Sequence, residues 1–216
     1  MNASRKPDYK GIELKSFRDK RPNVRKNLFC RVPDWELSHL KSGQDIANKY
    51  GYPSNVPFRS YRNTLVYQRP NSQSLDLNIT KENTLLAIEE GIIRESANNG
   101  NVYKKIADVA VWKMLSLHQA LLEKHKETFW IEVHSELYDN KEYFQFQKVE
   151  HTRNPMVSQF DSLIERGLIT VDLLLGRGID HMTGKRIKKS GGDSVSFKIN
   201  KNSTSLLFPE SVEYWL

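Results

Sequence analysis

The alternation of apolar and polar positions along the chain predicts a structure with many strands. Ile12 and Leu14 alternate with Glu13 and Lys15, which predicts a short strand over Tyr9–Lys15. The same period, or a short apolar run bounded by turn residues, predicts further strands at 64–67, 75–79, 85–88, 129–134, 143–149, 169–175 and 194–199.

Apolar positions spaced three and four residues apart predict helices between these strands. The clearest helix is predicted over Val102–Lys124, where apolar residues form one stripe with polar residues opposite. A weaker helical pattern covers Trp35–Tyr50. Asn154 and Pro155 are the residue types of a helix N-cap and first position, and the helix that they open is predicted to end near Gly167.

The order of these elements predicts one α/β domain over residues 1–216, with a mixed central sheet flanked by helices. A chain of this length buries enough surface to fold without a disulfide or a metal, and the single cysteine, Cys30, has no internal partner. One free thiol, no apolar stretch after the basic N-terminus and no apolar run of about 20 residues predict a cytoplasmic protein that does not enter membranes.

The positive charge of the chain is concentrated in two stretches. The chain has 33 lysines and arginines against 26 aspartates and glutamates, a net charge of +7. Residues 1–31 contain ten of the basic residues and three of the acidic ones, which accounts for the whole excess. Residues 177–201 add seven basic and two acidic residues. Such stretches predict a polyanionic partner.

The candidate catalytic groups lie inside the first basic stretch. On a strand, Glu13 and Lys15 point to the same face, and Gly11 permits a bend that would bring Asp8 back beside Glu13. Two carboxylates and the backbone carbonyl of Leu14 make a hard oxygen site suited to Mg²⁺. A lysine beside such a site can orient an attacking water or offset charge on a phosphate. Glu-x-Lys is also common on exposed strands, and the basic surroundings are what favour catalysis here.

The segment Pro7–Ser16 reads PDYKGIELKS and resembles the PD-(D/E)XK nuclease motif. It is most similar to the form found in the MvaI/BcnI restriction endonucleases and the related mismatch-repair nickase MutH. The resemblance continues through Tyr143–Phe146, a helix, Gly167–Leu173 and the closing strand Ser194–Ile199. It implies a restriction-endonuclease-like PD-(D/E)XK core in which residues 7–16 form the catalytic hairpin.

Carried over position by position, the resemblance implies that Asp8, Glu13 and the Leu14 carbonyl bind Mg²⁺ and that Lys15 is the catalytic lysine. It also implies a double-stranded DNA substrate, action as a monomer, and a cognate DNA methyltransferase where the role is restriction. Family members carry one or two helices before this motif, whereas Met1–Lys6 precede it here. Two explanations stay open: the chain is shortened at its N-terminus, or the part of the catalytic lobe that those helices form is supplied in another way.

The region 176–199 is predicted to recognise DNA, because its loop is rich in glycine and basic residues and lies in the family's recognition region. Contact with phosphates or base edges is favoured over a solvated loop for Arg177, Lys185, Arg186, Lys188, Lys189 and Lys198. Asp193 would accept a hydrogen bond from a cytosine amino group or cap a turn, and both alternatives stay open. The family's base-reading stretch HDHGT is replaced by Gly191–Val195, so its recognition sequence does not carry over.

Two functions of different class follow. The first is a Mg²⁺-dependent type II endonuclease that hydrolyses phosphodiester bonds at a specific sequence, with a MutH-like nickase as its repair variant. The alternative is an inactive or truncated sequence-specific DNA-binding domain. The alternating Glu132, His134 and Glu136 could bind a metal, but the polar face of a strand is the favoured interpretation.

Overall fold

The computed structural model of the chain describes residues 7–19, 25–52, 61–80, 84–94, 101–175 and 194–216. The strands within these ranges are β1 (Glu13–Arg18), β2 (Arg25–Cys30), β3 (Tyr61–Leu65), β4 (Leu75–Ile79), β5 (Thr84–Arg94), β6 (Asn101–Lys113), β7 (Glu127–Tyr138), β8 (Lys141–Arg153), β9 (Ile169–Leu175), β10 (Ser194–Asn200) and β11 (Glu210–Trp215). The helices are α1 (Gly43–Tyr50), α2 (Met114–His125), α3 (Val157–Glu165) and α4 (Thr204–Leu207). The predicted α/β class is confirmed.

The chain divides into two compact units, each assembled from separate stretches of sequence. The first contains residues 1–29, 118–163 and 198–216, and the second contains residues 30–117 and 164–197. The single domain expected over residues 1–216 stays a prediction.

A mixed four-stranded sheet in the order β1-β7-β8-β11 organises the first unit. β1 runs parallel to β7, so that Glu13 lies opposite Thr128 and Lys15 opposite Trp130. β8 runs antiparallel to both β7 and β11. The mixed sheet predicted from the element order is therefore present, and the parallel pair places β1 beside a strand that is distant in sequence.

Aromatic side chains fill the first unit on the face of this sheet that carries Glu13 and Lys15. Trp130 is buried, and its Nε1 donates a hydrogen bond to Thr152 Oγ1 at 2.9 Å. The ring of Phe208 packs against Trp130 with 6.1 Å between the ring centres. Because this face is the packed one, polar groups on it are buried and need partners.

The second unit contains a sheet in the order β4-β5-β6, and β9 lies between β3 and β10. Trp112 packs edge-on against Phe197 in its core, with ring centres 6.0 Å apart. α1 begins after Ser42, whose Oγ accepts a hydrogen bond from the backbone N–H of Asp45 at 3.1 Å. The predicted bounds of β4 and β9 are confirmed.

The helix predicted over Val102–Lys124 is wrong in its first half. Residues 101–113 form β6, and the helix begins at Met114. The register between β5 and β6 shifts twice, so that Ile106 and Val109 have no residue opposite them. Each such bulge adds one residue to the strand and breaks its period of two, and the resulting spacing imitates a helix.

Other predicted boundaries also move. The helical pattern over Trp35–Tyr50 produces a helix only from Gly43 onward. The proposed N-cap Asn154 lies before α3, which begins at Val157, and Asn154 has a φ of +47°. β2 and β11 were not predicted from the sequence. None of the helices within the described ranges combines the length and apolar character that crossing a membrane requires.

Candidate active site

A tight two-residue turn opens the candidate site. Tyr9 and Ile12 exchange both backbone hydrogen bonds, at 3.0 and 2.8 Å. Between them, Lys10 and Gly11 have φ angles of +48° and +87°. The left-handed conformation at the second position favours glycine, because a side chain there is strained. The bend predicted at Gly11 is therefore present.

This turn brings Asp8 back to the beginning of β1. Its Oδ2 accepts a hydrogen bond from the backbone N–H of Leu14 at 3.2 Å. The carboxylate therefore lies next to the peptide bond that joins Glu13 to Leu14. Asp8 itself is exposed, so this carboxylate is open to solvent and to a ligand.

The Glu13 carboxylate is fully buried and lies between two lysines. Its Oε1 is 2.5 Å from Lys15 Nζ, and its Oε2 is 2.8 Å from Lys124 Nζ. The side chains of Lys15 and Lys124 are 24% and 14% exposed. Burying a carboxylate is costly unless it is paired, and the two ammonium groups offset that cost. The shared face predicted for Glu13 and Lys15 is confirmed.

Sequence reasoning missed Lys124, which lies in the last turn of α2. A lysine there is ordinary, since positive charge near a helix C-terminus interacts favourably with the helix dipole. No local pattern could therefore have distinguished it. Only the packing of α2 near the start of β1 makes Lys124 a residue of the site.

His125, the next residue, anchors the end of α2. Burial lowers its pKa to about 3, so the ring is neutral near neutral pH. Its Nε2–H donates to the Leu28 carbonyl at 2.5 Å, and its Nδ1, 2.9 Å from Thr128 Oγ1, accepts from that hydroxyl. Because Thr128 lies opposite Glu13 in the β1–β7 pair, this network ties the helix end to the strand beside the site.

A second buried ion pair occurs in the same unit. Lys26 pairs with Glu150, and the Lys26 ammonium lies 5.6 Å from the ring centre of Phe17 and 5.0 Å from that of Trp130. Burial lowers the pKa of Lys26, while its bond to Glu150 opposes the shift. Ser211 Oγ donates a hydrogen bond to the other oxygen of Glu150 at 3.2 Å.

The hard oxygen donors at the site are the Asp8 carboxylate, the Glu13 carboxylate and the Leu14 carbonyl. Both Glu13 oxygens are buried and have ion pairs, but neither makes a hydrogen bond of regular geometry. This donor chemistry fits a hard divalent cation. No group of three or more His, Cys, Asp or Glu side chains in the described ranges is arranged to hold a metal.

The three alternating residues of β7 that were considered as metal ligands, Glu132, His134 and Glu136, pair with protein side chains. Glu132 pairs with Lys201 at 2.9 Å. His134 Nδ1 lies 2.6 Å from Asp19 Oδ2, and its Nε2 lies 3.1 Å from Glu136 Oε1. These contacts agree with the interpretation of a polar strand face.

Most of the predicted recognition residues lie outside the described residues: Arg177, Lys185, Arg186, Lys188, Lys189 and Asp193. Lys198 is described, and it lies in β10 with a half-buried side chain. The role of this set in DNA recognition stays a prediction.

Comparison with known proteins decides the family. The model of the MvaI/BcnI restriction endonuclease family matches residues 1–208. The chain belongs to the MvaI/BcnI restriction endonuclease family. Membership in it makes the chain a restriction endonuclease of the site-specific deoxyribonuclease kind. The family resemblance of the PDYKGIELKS segment is thereby confirmed.

Two solved structures agree with this MvaI/BcnI assignment at the level of fold. A complex of restriction endonuclease MvaI with its cognate DNA substrate has a TM-score of 0.77 and 20% identity, and covers 99% of this chain and 82% of that one. MvaI in the absence of DNA has a TM-score of 0.58 and 21% identity, and covers 96% of this chain and 80% of that one. No curated protein matches the sequence significantly.

Proposed function

We propose that this member of the family hydrolyses phosphodiester bonds of double-stranded DNA at a specific sequence, with Mg²⁺ as its cofactor. The observation that carries the proposal is the geometry of the hairpin. Glu13 is fully buried with Lys15 Nζ at 2.5 Å, and the Asp8 carboxylate is held beside the same strand by the Leu14 N–H. The MvaI structure solved with cognate DNA supports a DNA substrate for this fold.

Each residue of the hairpin has a distinct role in this proposal. Asp8, Glu13 and the Leu14 carbonyl would hold Mg²⁺, and the bound ion would supply polarisation of the phosphate and a lower pKa for a coordinated water. Lys15, whose ammonium lies at the Glu13 carboxylate, orients the attacking water or offsets negative charge that develops on the phosphate. The Gly11 turn keeps Asp8 at the start of β1, so that the carboxylates reach the site from one short segment.

The proposal extends to recognition and to cellular role. Region 176–199, with Arg177, Lys185, Arg186, Lys188, Lys189, Asp193 and Lys198, would contact phosphates and base edges. The enzyme would act as a monomer in the cytoplasm, alongside a cognate DNA methyltransferase. The basic residues support the proposed contact with DNA, because DNA affinity depends mainly on neutralised phosphates.

Cleavage of plasmid DNA tests the central claim. We expect the protein to cut duplex DNA with MgCl₂ and not with EDTA, and sequencing of the product ends would define the site. Lys15→Ala and Glu13→Gln should abolish cutting while duplex binding, measured with CaCl₂ in place of MgCl₂, persists. Lys126→Ala is the matched control, because Lys126 is exposed and close in sequence to the site lysine Lys124.

Two results would contradict the proposal. Salt-sensitive duplex binding without cutting, under any divalent cation tried, would identify a DNA-binding domain instead. Mg²⁺-dependent cutting that survives both substitutions would place the catalytic residues elsewhere in the chain.

A further inference from the structure

Lys124 reaches the candidate site from a part of the chain that the nuclease motif does not include. Its ammonium lies 2.8 Å from Glu13 Oε2, while Lys15 lies 2.5 Å from Oε1. The two oxygens of one buried carboxylate are thus held by two lysines from different elements, α2 and β1.

This double pairing has a geometric consequence. The last torsion angle of a glutamate, which rotates the carboxylate plane, is broad and weakly restricted by itself. A single lysine restrains that rotation only loosely, because its flexible side chain can follow the one oxygen that it holds. A second ammonium on the other oxygen resists the same rotation from the opposite side, and so holds the plane and the direction in which Glu13 presents its lone pairs.

The framework around Lys124 is rigid enough to act in this way. The adjacent His125 is fully buried and stacks on Trp130 with ring centres 5.4 Å apart. It also binds the Leu28 carbonyl and the Thr128 hydroxyl. The helix end that carries Lys124 is therefore anchored to two strands, and the side chain extends from a fixed point.

We propose that Lys124 is a positioning residue for catalysis: its ion pair with Glu13 Oε2 fixes the plane of the carboxylate against Lys15. The inference rests on the proposed function, because it assigns Lys124 a part in the reaction at Glu13. Lys124 acts through Glu13, so its loss disturbs the orientation of the catalytic groups rather than the binding of DNA. Misorientation of catalytic groups lowers turnover more than affinity.

The kinetic test uses the full chain and three variants. We expect Lys124→Met to lower kcat for DNA cleavage by roughly 10- to 100-fold, while KM changes less than about twofold. Lys124→Arg keeps a positive donor and should recover at least half of the lost activity on a logarithmic scale. Lys126→Ala, a neighbouring change outside the site, should leave both constants unchanged.

Other kinetic outcomes would overturn the proposal. A raised KM with unchanged kcat would make Lys124 a DNA contact, and unchanged constants would make it a spectator. Equal losses in the Met and Arg variants, with equal falls in the unfolding midpoint, would indicate a purely structural role. If Lys124→Met does not fold, the Arg variant still decides, because near-normal turnover from it supports positioning by charge and a loss as complete as that of Glu13→Gln contradicts it.

A crystal structure of Lys124→Met separates this inference from the proposed function. We expect the plane of the Glu13 carboxylate to rotate about the last torsion angle of the side chain and its distance to Lys15 Nζ to lengthen from 2.5 Å. An unchanged carboxylate would overturn the positioning role whether or not the protein cuts DNA. Wild-type protein that cuts no DNA would overturn the proposed function, while this structural comparison would still test Lys124.

Discussion

Glu13 and Glu150 are two carboxylates of the same unit, and each pairs with lysine, but the two arrangements differ. Glu150 pairs with one lysine, Lys26, and accepts a hydrogen bond from the Ser211 hydroxyl. Glu13 has an ammonium on each oxygen and no hydrogen bond of regular geometry. The first arrangement satisfies the carboxylate within the fold. In the second, a cation would have to compete with two ammonium groups for the same oxygens.

Under the proposed function, the two ion pairs have different roles: the Lys26–Glu150 pair is structural and the Lys15–Glu13 pair is chemical. Lys26 is enclosed by the rings of Phe17 and Trp130, so the Lys26–Glu150 pair is part of the core. Lys15 is 24% exposed and its partner lies in a turn-bounded hairpin with the exposed Asp8. A site that must admit a cation and a phosphate needs such access, and a core pair does not.

The largest expected effect compares the two carboxylates directly. Glu13→Gln should lower Mg²⁺-dependent DNA cleavage by about 100-fold or more, because it removes a charged group from the reacting centre. Glu150→Gln should retain cleavage per folded molecule and lose stability instead. Plasmid cleavage rates, normalised to the folded fraction from circular dichroism, measure both. Equal losses of activity in Glu13→Gln and Glu150→Gln would contradict a catalytic role that is specific to Glu13.

The next effect concerns the core pair. Lys26→Met leaves Glu150 without its ammonium partner, and we expect it to lower the free energy of unfolding by about 3 kcal/mol. Adding Glu150→Leu to this variant should recover most of the loss, because the uncompensated charge is gone. Urea unfolding followed by fluorescence provides the free energies. If Lys26→Met unfolds at the same free energy as the wild type, the Lys26–Glu150 ion pair contributes little to stability.

A third expectation concerns the acid side of stability. His125 has a pKa of about 3 in the fold, against 6.5 in an unfolded chain. Between these values the unfolded state binds a proton that the folded state does not, so stability falls as pH decreases below 6.5. The slope from this group approaches about 1.4 kcal/mol per pH unit. The stability that it contributes is fully present above pH 6.5.

Urea unfolding of wild type and His125→Phe between pH 7 and 4.5 measures this contribution. The variant should show a shallower decline, since it has no imidazole to protonate on unfolding. His118→Phe is the control, because His118 is only partly buried. If the free energy of unfolding falls with pH equally in the wild type and in His125→Phe, the interpretation of His125 as a buried neutral ring is wrong.

The smallest effect is expected at the exposed end of β1. Arg18 pairs with Glu142 at 2.8 Å, and their side chains are 43% and 37% exposed. Surface ion pairs of this kind contribute little, so Arg18→Ala should cost about 0.5 kcal/mol or less. The same urea assay, repeated at high salt, should show that even this difference shrinks. A loss as large as that of Lys26→Met would show that exposure does not separate the two pairs.

Local patterns predicted the elements whose sequence is an uninterrupted alternation or a short apolar run. The strands Leu75–Ile79 and Ile169–Leu175 have the predicted bounds, and the registers of β4 with β5 and of β9 with β3 show no shift. The segment 101–113 was misassigned because two bulges shift its period. β11 was not predicted, although Val212 and Tyr214 alternate with Ser211 and Glu213; all its residues are exposed in the structure.

The sequence by itself determined the parts of the site that lie within eight residues of one another. Asp8, Glu13 and Lys15 come together through a glycine-containing turn and the two-residue period of a strand, and both are properties of the local chain. Only the tertiary structure decided that Lys124 joins them, and that His125 anchors it. Their proximity depends on the parallel pairing of β1 with β7 and on the packing of α2, and a linear pattern contains no record of such distant contacts.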